Sequence, residues 1–418
     1  MIYIVKEIVM TDEALMRILT INSGSSSIKF SLYRMGSIET QMLSGSAIGI
    51  GLASGLFHTT DAEGKTEIER KLRLRDHGAA LHEIINCLQS NAVDRDVDAV
   101  GHRLVHGGSA YAEPHLITAG VLTALEGLVP FAPDHLPHEI GAIKEFTRSY
   151  PGLKQVACFD TAFHRTMPEV AQQYALPREI RQHGVLRYGF HGLSYEYILS
   201  ELRKKEGREA TDGRVIIAHL GNGASMGAFR HGKSVDTTMG FTPAGGLAMS
   251  TRSGDLDPGV IVYLLKDKGM DAAAVNRMVN NQAGLLGVSG ISSDMKVLLD
   301  EETRNPHAAE AVELFCYQAR KFLGALCAVL GGLDTLIFTG GIGENAPPIR
   351  ERICKDTEYL GIRFDKDLNR GNASIISRNG SSAVVRVMKT NEELMIARHT
   401  YDHIKNTTDA AVLKQKIQ

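Results

Sequence analysis

The chain has 418 residues, of which 43% are hydrophobic and 22% charged, so it has a globular composition and enough length for two or three cores. Its 46 basic and 48 acidic residues give a net charge of −2, which leaves no basic surplus for a nucleic-acid partner. The longest apolar stretch, residues 322–338, is interrupted by glycines and Asp334 and is shorter than the roughly 20 apolar residues of a membrane span.

The N-terminal segment and the cysteines indicate a cytoplasmic protein. Residues 1–16 carry acidic side chains where a signal peptide would place small residues and a cleavage site, so we expect an N-terminal extension rather than an export signal. The five cysteines are widely spaced and form no CxxC pair. We therefore expect core cysteines, without a disulfide framework or a zinc site.

Strands alternate with helices along the chain. A hairpin is predicted at ILTINSGSSSIKFSLY, which starts at Ile18, and a similar one at VIIAHLGNGASMGAF, which starts at Val215. The other predicted strands are 99–105, 155–159, 335–339 and 383–388. The predicted helices are 77–88, 138–150, 194–205, 258–268, 306–330 and 391–404. This alternation and the repeated hairpin predict an α/β protein of two similar lobes, each with a largely parallel, helix-covered sheet.

Three loops rich in glycine or hydroxyl groups follow predicted strands. They are NSGSSS from Asn22, HLGNGAS from His219 and TGGIGENAP from Thr339. Open backbone N–H groups and small hydroxyls suit phosphate oxygens, and Lys29 on the return strand of the first hairpin adds a positive charge. Together the loops predict the walls of a nucleotide cleft between the lobes.

Two other motifs are interpreted as ordinary structure. Residues 227–234, GAFRHGKS, match the Walker A pattern, but a strand-like segment follows where a helix is required, so we expect a hairpin tip at residues 231–233. His102 and His106 have the i, i+4 spacing of a metal pair. That spacing needs a helix, and these residues lie in a predicted strand, so we do not expect metal ligands.

Ten short motifs follow one another across residues 17–404: NSGSSSIKF, GHRLVHGG, FDTAFH, RYGFHGLS, HLGNGAS, DTTMGFTP, TRSGDLDPG, GLLGVSGISSD, GGIGENAP and TNEELMIAR. In this order they resemble the acetate kinase family of acyl-phosphate-forming kinases. The resemblance implies a duplicated actin-like, ribonuclease H-like ATPase fold with two lobes around a nucleotide cleft. The repeat alone places the boundary between the lobes, near residues 160–190; we expect a first lobe at 17–170, a second at 171–390, and a C-terminal helix and tail at 391–418 that returns to the cleft.

The resemblance also implies site residues. Arg103 and Arg252 would hold the carboxylate and the phosphoryl oxygens, tasks that suit a guanidinium fork. His191 would stabilise the transition state, with His135 in the same catalytic group. Asp160 would be the essential acid; because the attacking carboxylate is already ionised, it would orient an arginine or the metal shell rather than act as a base. The implied acyl-site residues are Arg103, Val105, Asp134, Phe190 and Pro243.

The implied ATP-binding positions come from four segments of the chain. They are Lys29, His219, Leu220, Gly221, Asn222, Gly223, Asp294, Met295, Lys296, Gly341, Ile342, Gly343, Glu344 and Asn345. Asn22 and Glu392 resemble the family's Mg²⁺ site, with Mn²⁺ as an alternative ion, and one carboxylate suits an octahedral, mostly water-ligated ion. The resemblance further implies small-molecule substrates, ATP or ADP as the nucleotide, and a homodimer.

The sequence departs from the family pattern at two places. Asp134 replaces an apolar residue of the acyl pocket; it could accept a hydrogen bond from a polar acyl substrate, or pair with His135 or an arginine and leave acetate turnover intact. Leu193 and Tyr195 replace the family's usual residues after His191. The sequence thus predicts reversible phosphorylation of acetate, with propionate or another short acyl group as one alternative. The other is a non-catalytic, actin-like nucleotide-binding protein.

Overall fold

A computed structural model describes residues 15–90 and 97–417, with side chains described as far as residue 408. Most of the predicted extension, residues 1–14, lies outside this range. Its last residue belongs to the fold, because Met16 begins the first strand.

The first sheet carries the N-terminal hairpin at its centre. Its strands are β1 (Met16–Ser23), β2 (Ser27–Met35), β3 (Thr40–Ile48), β4 (Gly55–Asp61), β5 (Thr66–Leu72), β6 (Ala99–Leu104), β7 (His115–Leu116) and β8 (Lys154–Phe159). Their spatial order is β5-β4-β3-β2-β1-β6-β8-β7. Strands β1 to β5 form an antiparallel meander, whereas β1, β6 and β8 are parallel.

The second sheet repeats this plan. Its strands are β9 (Val215–Leu220), β10 (Ala224–Arg230), β11 (Lys233–Thr237), β12 (Thr335–Thr339) and β13 (Val384–Val387), in the order β11-β10-β9-β12-β13. Strands β9 to β11 are antiparallel, and β9, β12 and β13 are parallel. The order matches β3-β2-β1-β6-β8 of the first sheet, so the predicted duplication is confirmed. The prediction of largely parallel sheets is wrong, because each lobe begins with antiparallel hairpins: among the described residues, five of the seven pairings in the first sheet and two of the four in the second are antiparallel.

Helices cover the sheets. They are α1 (His77–Ser90), α2 (Ala119–Gly127), α3 (Leu136–Ser149), α4 (Glu169–Gln172), α5 (Arg178–Gln182), α6 (Gly192–Glu206), α7 (Glu209–Asp212), α8 (Pro258–Lys266), α9 (Ala272–Arg277), α10 (Gly284–Ser289), α11 (Met295–Glu301), α12 (Pro306–Leu330), α13 (Gly340–Asn345), α14 (Pro347–Ile353), α15 (Lys366–Arg370) and α16 (Glu392–Ile417). Within the described ranges, none is long and apolar enough to cross a bilayer.

Local sequence explains where the longest central helix starts and stops. The Asn305 side chain accepts hydrogen bonds from two amides of the first turn of α12, Pro306 occupies the first helical position, and Gly331 ends the helix at a φ of +74°. One face of α12 packs on the second sheet and contributes to a core that also includes Leu104 and Phe159 of the first sheet. This apolar core therefore joins the two lobes.

The last helix is longer than predicted. The apolar pattern predicts its end at residue 404, but it continues to Ile417, with the Thr407 and Thr408 hydroxyls donating to carbonyls of the preceding turn. Its residues Ile396 and Tyr401 pack against Ile18 of β1 in the first sheet. The lobe divisions at 170 and 390 stay predictions; the last strand of the first sheet ends at Phe159 and that of the second at Val387.

Two smaller expectations are confirmed. Residues 231–232 form the tight turn between β10 and β11, both with φ in the left-handed region, so GAFRHGKS is a hairpin and not a phosphate loop. The five cysteines are all buried.

Candidate active site

Two connected cavities lie between the lobes. The larger, of about 820 Å³, extends from the β1–β2 loop to helices α11, α13 and α14. The smaller, of about 200 Å³, lies beside it and is below the usual volume of a drug-sized ligand site. Their linings share Arg103, His191, Asn222 and Gly223 as well as the β1–β2 loop. The site can therefore hold a large and a very small ligand in contact at one junction.

Two neighbouring parallel strands place the first charged pair at this junction. Arg103 is near the carboxyl end of β6, and Asp160 directly follows β8. The Nη2 atom of Arg103 lies 2.5 Å from Oδ2 of Asp160, with both side chains largely buried. Burial raises the pKa of the Asp160 carboxyl, while Arg103 acts to lower it. The carboxylate in turn raises the pKa of Arg103 against its own desolvation, so the guanidinium stays charged.

Glu139 is a third buried group at this pair and was not predicted from the sequence. Its Oε2 accepts a hydrogen bond of 3.0 Å from the Val105 amide, and its Oε1 has no partner among the described residues. Burial, only partly offset by Arg103, raises the pKa of Glu139 to about 8. In the sequence it resembles an ordinary acid in the first turn of a helix, so no local signal distinguishes it.

The second arginine approaches the small cavity from the other lobe. Arg252 donates from Nη1 to the Pro243 carbonyl at 3.3 Å, and its Nη2 lies 3.3 Å from Nε2 of His135. Burial, together with Arg252 and Arg103, lowers the pKa of His135 to about 3. His135 is therefore neutral and accepts from the guanidinium. Val105, Phe190 and Pro243 supply the apolar part of this cavity lining.

His191 directly precedes helix α6 and has a strained conformation. Its φ of 59° and ψ of 24° are left-handed, which is uncommon for a residue with a side chain. The next residue must be glycine, because a Cβ on Gly192 would lie 2.2 Å from the Asp160 carbonyl oxygen. The conformation aims the imidazole at the junction, where a Cβ on Gly223 would lie 3.2 Å from Nε2 of His191 and 3.5 Å from Nη1 of Arg252. Both groups therefore face one gap.

A second histidine supports the first. The rings of His191 and His219 stack with centroids 4.2 Å apart. Each Nδ1 is 2.8 Å from a serine hydroxyl, Ser225 for His191 and Ser194 for His219. Burial and the neighbouring His219 lower the pKa of His191 well below its usual value, and burial also lowers that of His219.

The larger cavity gathers most of the predicted nucleotide residues. Its lining includes Lys29, His219, Gly221, Asn222, Gly223, Asp294, Met295, Lys296, Gly341, Ile342, Glu344 and Asn345. Leu220 and Gly343 do not line it. The Leu220 side chain is fully buried in the core, and a Cβ on Gly343 would point at Ala218 and Phe338, so these two residues shape the loops from behind. Leu299 and Pro348 line the cavity and were not predicted.

The predicted metal residues lie together on the cavity wall. The Asn22 amide donates to Glu392 at 3.1 Å and to Glu393 at 3.2 Å. Burial would raise the pKa of Glu392, but Arg103, His219 and Lys29 nearby lower it, so this carboxylate is ionised. No cluster of three or more His, Cys, Asp or Glu ligands occurs within the described ranges. One ionised carboxylate with an amide fits an ion that keeps most of its water, as Mg²⁺ does.

Asp134 is the predicted acyl-site residue that the structure does not bring to the lining. It is absent from the walls of both cavities described above. Burial lowers the pKa of Arg252 and of His138 on α3, and the charge of Asp134 opposes both shifts without reversing them. Its contact with an acyl group stays a prediction.

Both sheets contain the same order of five strands, and a cleft between them carries phosphate-suited loops and buried arginines. These features define a two-lobed, actin-like phosphotransferase. Residues 17–398 match the Acetokinase family, and the chain belongs to that family. It is 45% identical to an acetate kinase of Rhodopseudomonas palustris, over 92% of this chain and 97% of that one.

Solved structures agree with this assignment. An acetate kinase of Porphyromonas gingivalis superimposes with a TM-score of 0.81 at 38% identity, over 92% of this chain and 98% of that one. A propionate kinase of Francisella tularensis gives a TM-score of 0.85 at 36% identity, with the same coverage.

Proposed function

We propose that this protein transfers the γ-phosphoryl group of ATP to acetate, reversibly, giving ADP and acetyl phosphate. The observation that carries this proposal is the junction of the two cavities, where Arg103, Arg252 and His191 face one gap beside a small, partly apolar pocket. Two anions meet there, so the reaction needs positive charge and fixed donors more than covalent chemistry. The large cavity suits the nucleotide and the small one the acyl group.

The residues divide the work by position. A carboxylate oxygen of acetate attacks the γ-phosphorus, and the bond to the β,γ-bridging oxygen breaks as ADP leaves. Arg103, held by Asp160, and Arg252, held by Pro243 and His135, neutralise the reacting oxygens on two sides of the gap. No base is needed, because acetate is ionised at neutral pH. Exclusion of water from the gap when both substrates are bound would disfavour hydrolysis of ATP.

A divalent cation completes the proposal. Glu392 and Asn22 would hold Mg²⁺, or Mn²⁺, on the wall of the larger cavity. When bound there, the ion supplies positive charge to the nucleotide phosphates.

We also propose a homodimer, formed through helix α8. None of its residues is buried, although its sequence is PGVIVYLLK, and Val262 and Tyr263 are each 48% exposed. A helix that is apolar on most sides and buried on none indicates an interface. A second copy is the occupant that the family resemblance implies, and a net charge of −2 opposes such pairing only weakly. Val262→Glu should shift the sedimentation of the protein from dimer to monomer; an unchanged dimer would exclude this face.

The buried, widely spaced cysteines support a cytoplasmic location.

A hydroxamate assay tests the reaction directly. With ATP, Mg²⁺ and hydroxylamine, acetate should give a coloured hydroxamate through the acyl phosphate, and Arg252→Gln should abolish it while leaving the protein folded. Propionate, run in parallel, tests the alternative suggested by the propionate kinase relative. Family members should overlap, since one methylene is worth only about 1–3 kcal/mol in such a pocket. No product with any short acid would refute the enzyme and favour a nucleotide-binding protein.

A further inference from the structure

We propose that Tyr195 and Ser225 are positioning residues that hold His191 as the tautomer with its proton on Nε2, so that this nitrogen donates to the transferring phosphoryl group. The inference deepens the proposed function and rests on it only for the identity of the acceptor.

The side chains of His191, Ser225 and Tyr195 form a hydrogen-bonded chain that leads away from the cavities. Tyr195 lies one helical turn after His191 on α6, and Ser225 lies on β10. The Ser225 hydroxyl is 2.8 Å from Nδ1 of His191 and is also hydrogen-bonded to the Tyr195 hydroxyl. Both Tyr195 and Ser225 are fully buried, so water does not compete for these groups.

Counting protons fixes the direction of the chain. If Nδ1 of His191 carried the proton, Ser225 would accept it. The hydroxyls of Ser225 and Tyr195 then have only each other as partners among the described residues, so one of their two hydrogens would lack an acceptor. A buried donor without a partner is costly. In the opposite direction, Tyr195 donates to Ser225, Ser225 donates to Nδ1, and every hydrogen has an acceptor.

This direction matters because His191 is neutral. Burial, His219 and the two arginines lower the pKa of His191, so a proton on both nitrogens is disfavoured. With Nδ1 as the acceptor, the single ring proton lies on Nε2, which faces the gap at Gly223. The other tautomer would present a lone pair to a phosphoryl oxygen and repel it. Tyr195, a departure from the family pattern, therefore has a defined role in this chain.

The tautomer can be measured directly. In protein labelled with ¹⁵N-histidine, the His191 signals, assigned by their loss in His191→Gln, should show a protonated Nε2 and an acceptor Nδ1. The opposite pattern in the wild-type protein would overturn the inference, whether or not any acyl phosphate is formed. This readout separates a failure of the positioning role from a failure of the proposed function.

Turnover provides the second test. Tyr195→Phe should lower kcat and Ser225→Ala should lower it further, within the roughly 10- to 100-fold range typical of partners that fix an imidazole tautomer. The KM values for ATP and acetate should change little, because neither residue lines the cavities. Tyr197→Phe, on the same helix, is the matched control and should keep full kcat. Equal kcat in Tyr195→Phe and Tyr197→Phe would refute the role of Tyr195.

Discussion

Gly223→Ala separates catalysis from folding at the junction of the cavities. The added methyl would lie 3.2 Å from Nε2 of His191 and 3.5 Å from Nη1 of Arg252. An oxygen that accepts from both nitrogens must lie about 2.7–3.1 Å from each, so the methyl occupies its place. The backbone of Gly223 is not left-handed, and its new contacts are side-chain ends rather than backbone. We therefore expect a folded, inactive protein.

The expected size of the effect follows from losing a transition-state donor. Loss of one such donor costs about 10²–10³ in kcat, or about 2.7–4 kcal/mol. The hydroxamate assay gives kcat, and urea unfolding gives the stability. Gly141→Ala, on helix α3, is the control, because its Cβ would meet nothing within 4 Å and Gly141 lines neither cavity. A kcat for Gly223→Ala within fivefold of that of Gly141→Ala would show that the reacting oxygens lie elsewhere.

Three further substitutions test the surroundings of the gap. Asp160→Asn leaves Arg103 without its counter-charge in a buried site, and urea unfolding should show a loss of about 3–5 kcal/mol; wild-type stability would contradict a buried ion pair. Glu139 has its pKa raised from 4.5 to about 8, so the folded state retains a proton that the unfolded state releases, and wild-type stability falls as pH rises through this window. Glu139→Gln has no such group to titrate. Its free energy of unfolding, relative to that of the wild type, should therefore rise by up to about 1.4 kcal/mol per pH unit between pH 5 and 8. A difference that does not vary with pH would refute the assignment. Asp134→Leu should leave the rank order of kcat/KM for acetate, propionate and glycolate unchanged, because Asp134 does not line the small cavity; a reordering would place it against the acyl group.

The sequence predicts the plan of the fold because periodicity and duplication are local signals. The hairpins at Ile18 and Val215 are recognisable as a repeat, and the structure gives both the same strand order. The full length of α16 could not be predicted, because its last turns have no apolar periodicity. These turns extend a helix whose earlier residues are well packed, and the Thr407 hydroxyl donates to the carbonyls of His403 and Ile404 in the preceding turn.

Site residues can be predicted from the sequence where they belong to a recognisable motif. They cannot be predicted where only tertiary packing brings them to the site. Arg103, Asp160, His191 and Arg252 stand in motifs and do meet at the cleft. Glu139 became part of the site only because α3 buries it against β6, which no local pattern announces. Asp134 is named by the family motif, but it lies outside the lining of both cavities, so its contact with an acyl group stays a prediction.

Helix α16 also sets the order in which the protein can become competent. It carries Glu392 on the cavity wall, and it covers the face of the first sheet around β1, which is made from the earliest of the described residues. The nascent first lobe therefore emerges from the ribosome with this apolar face uncovered and without Glu392. Only after synthesis has passed residue 392 can one folding step cover that face and bring Glu392 to the cavity wall.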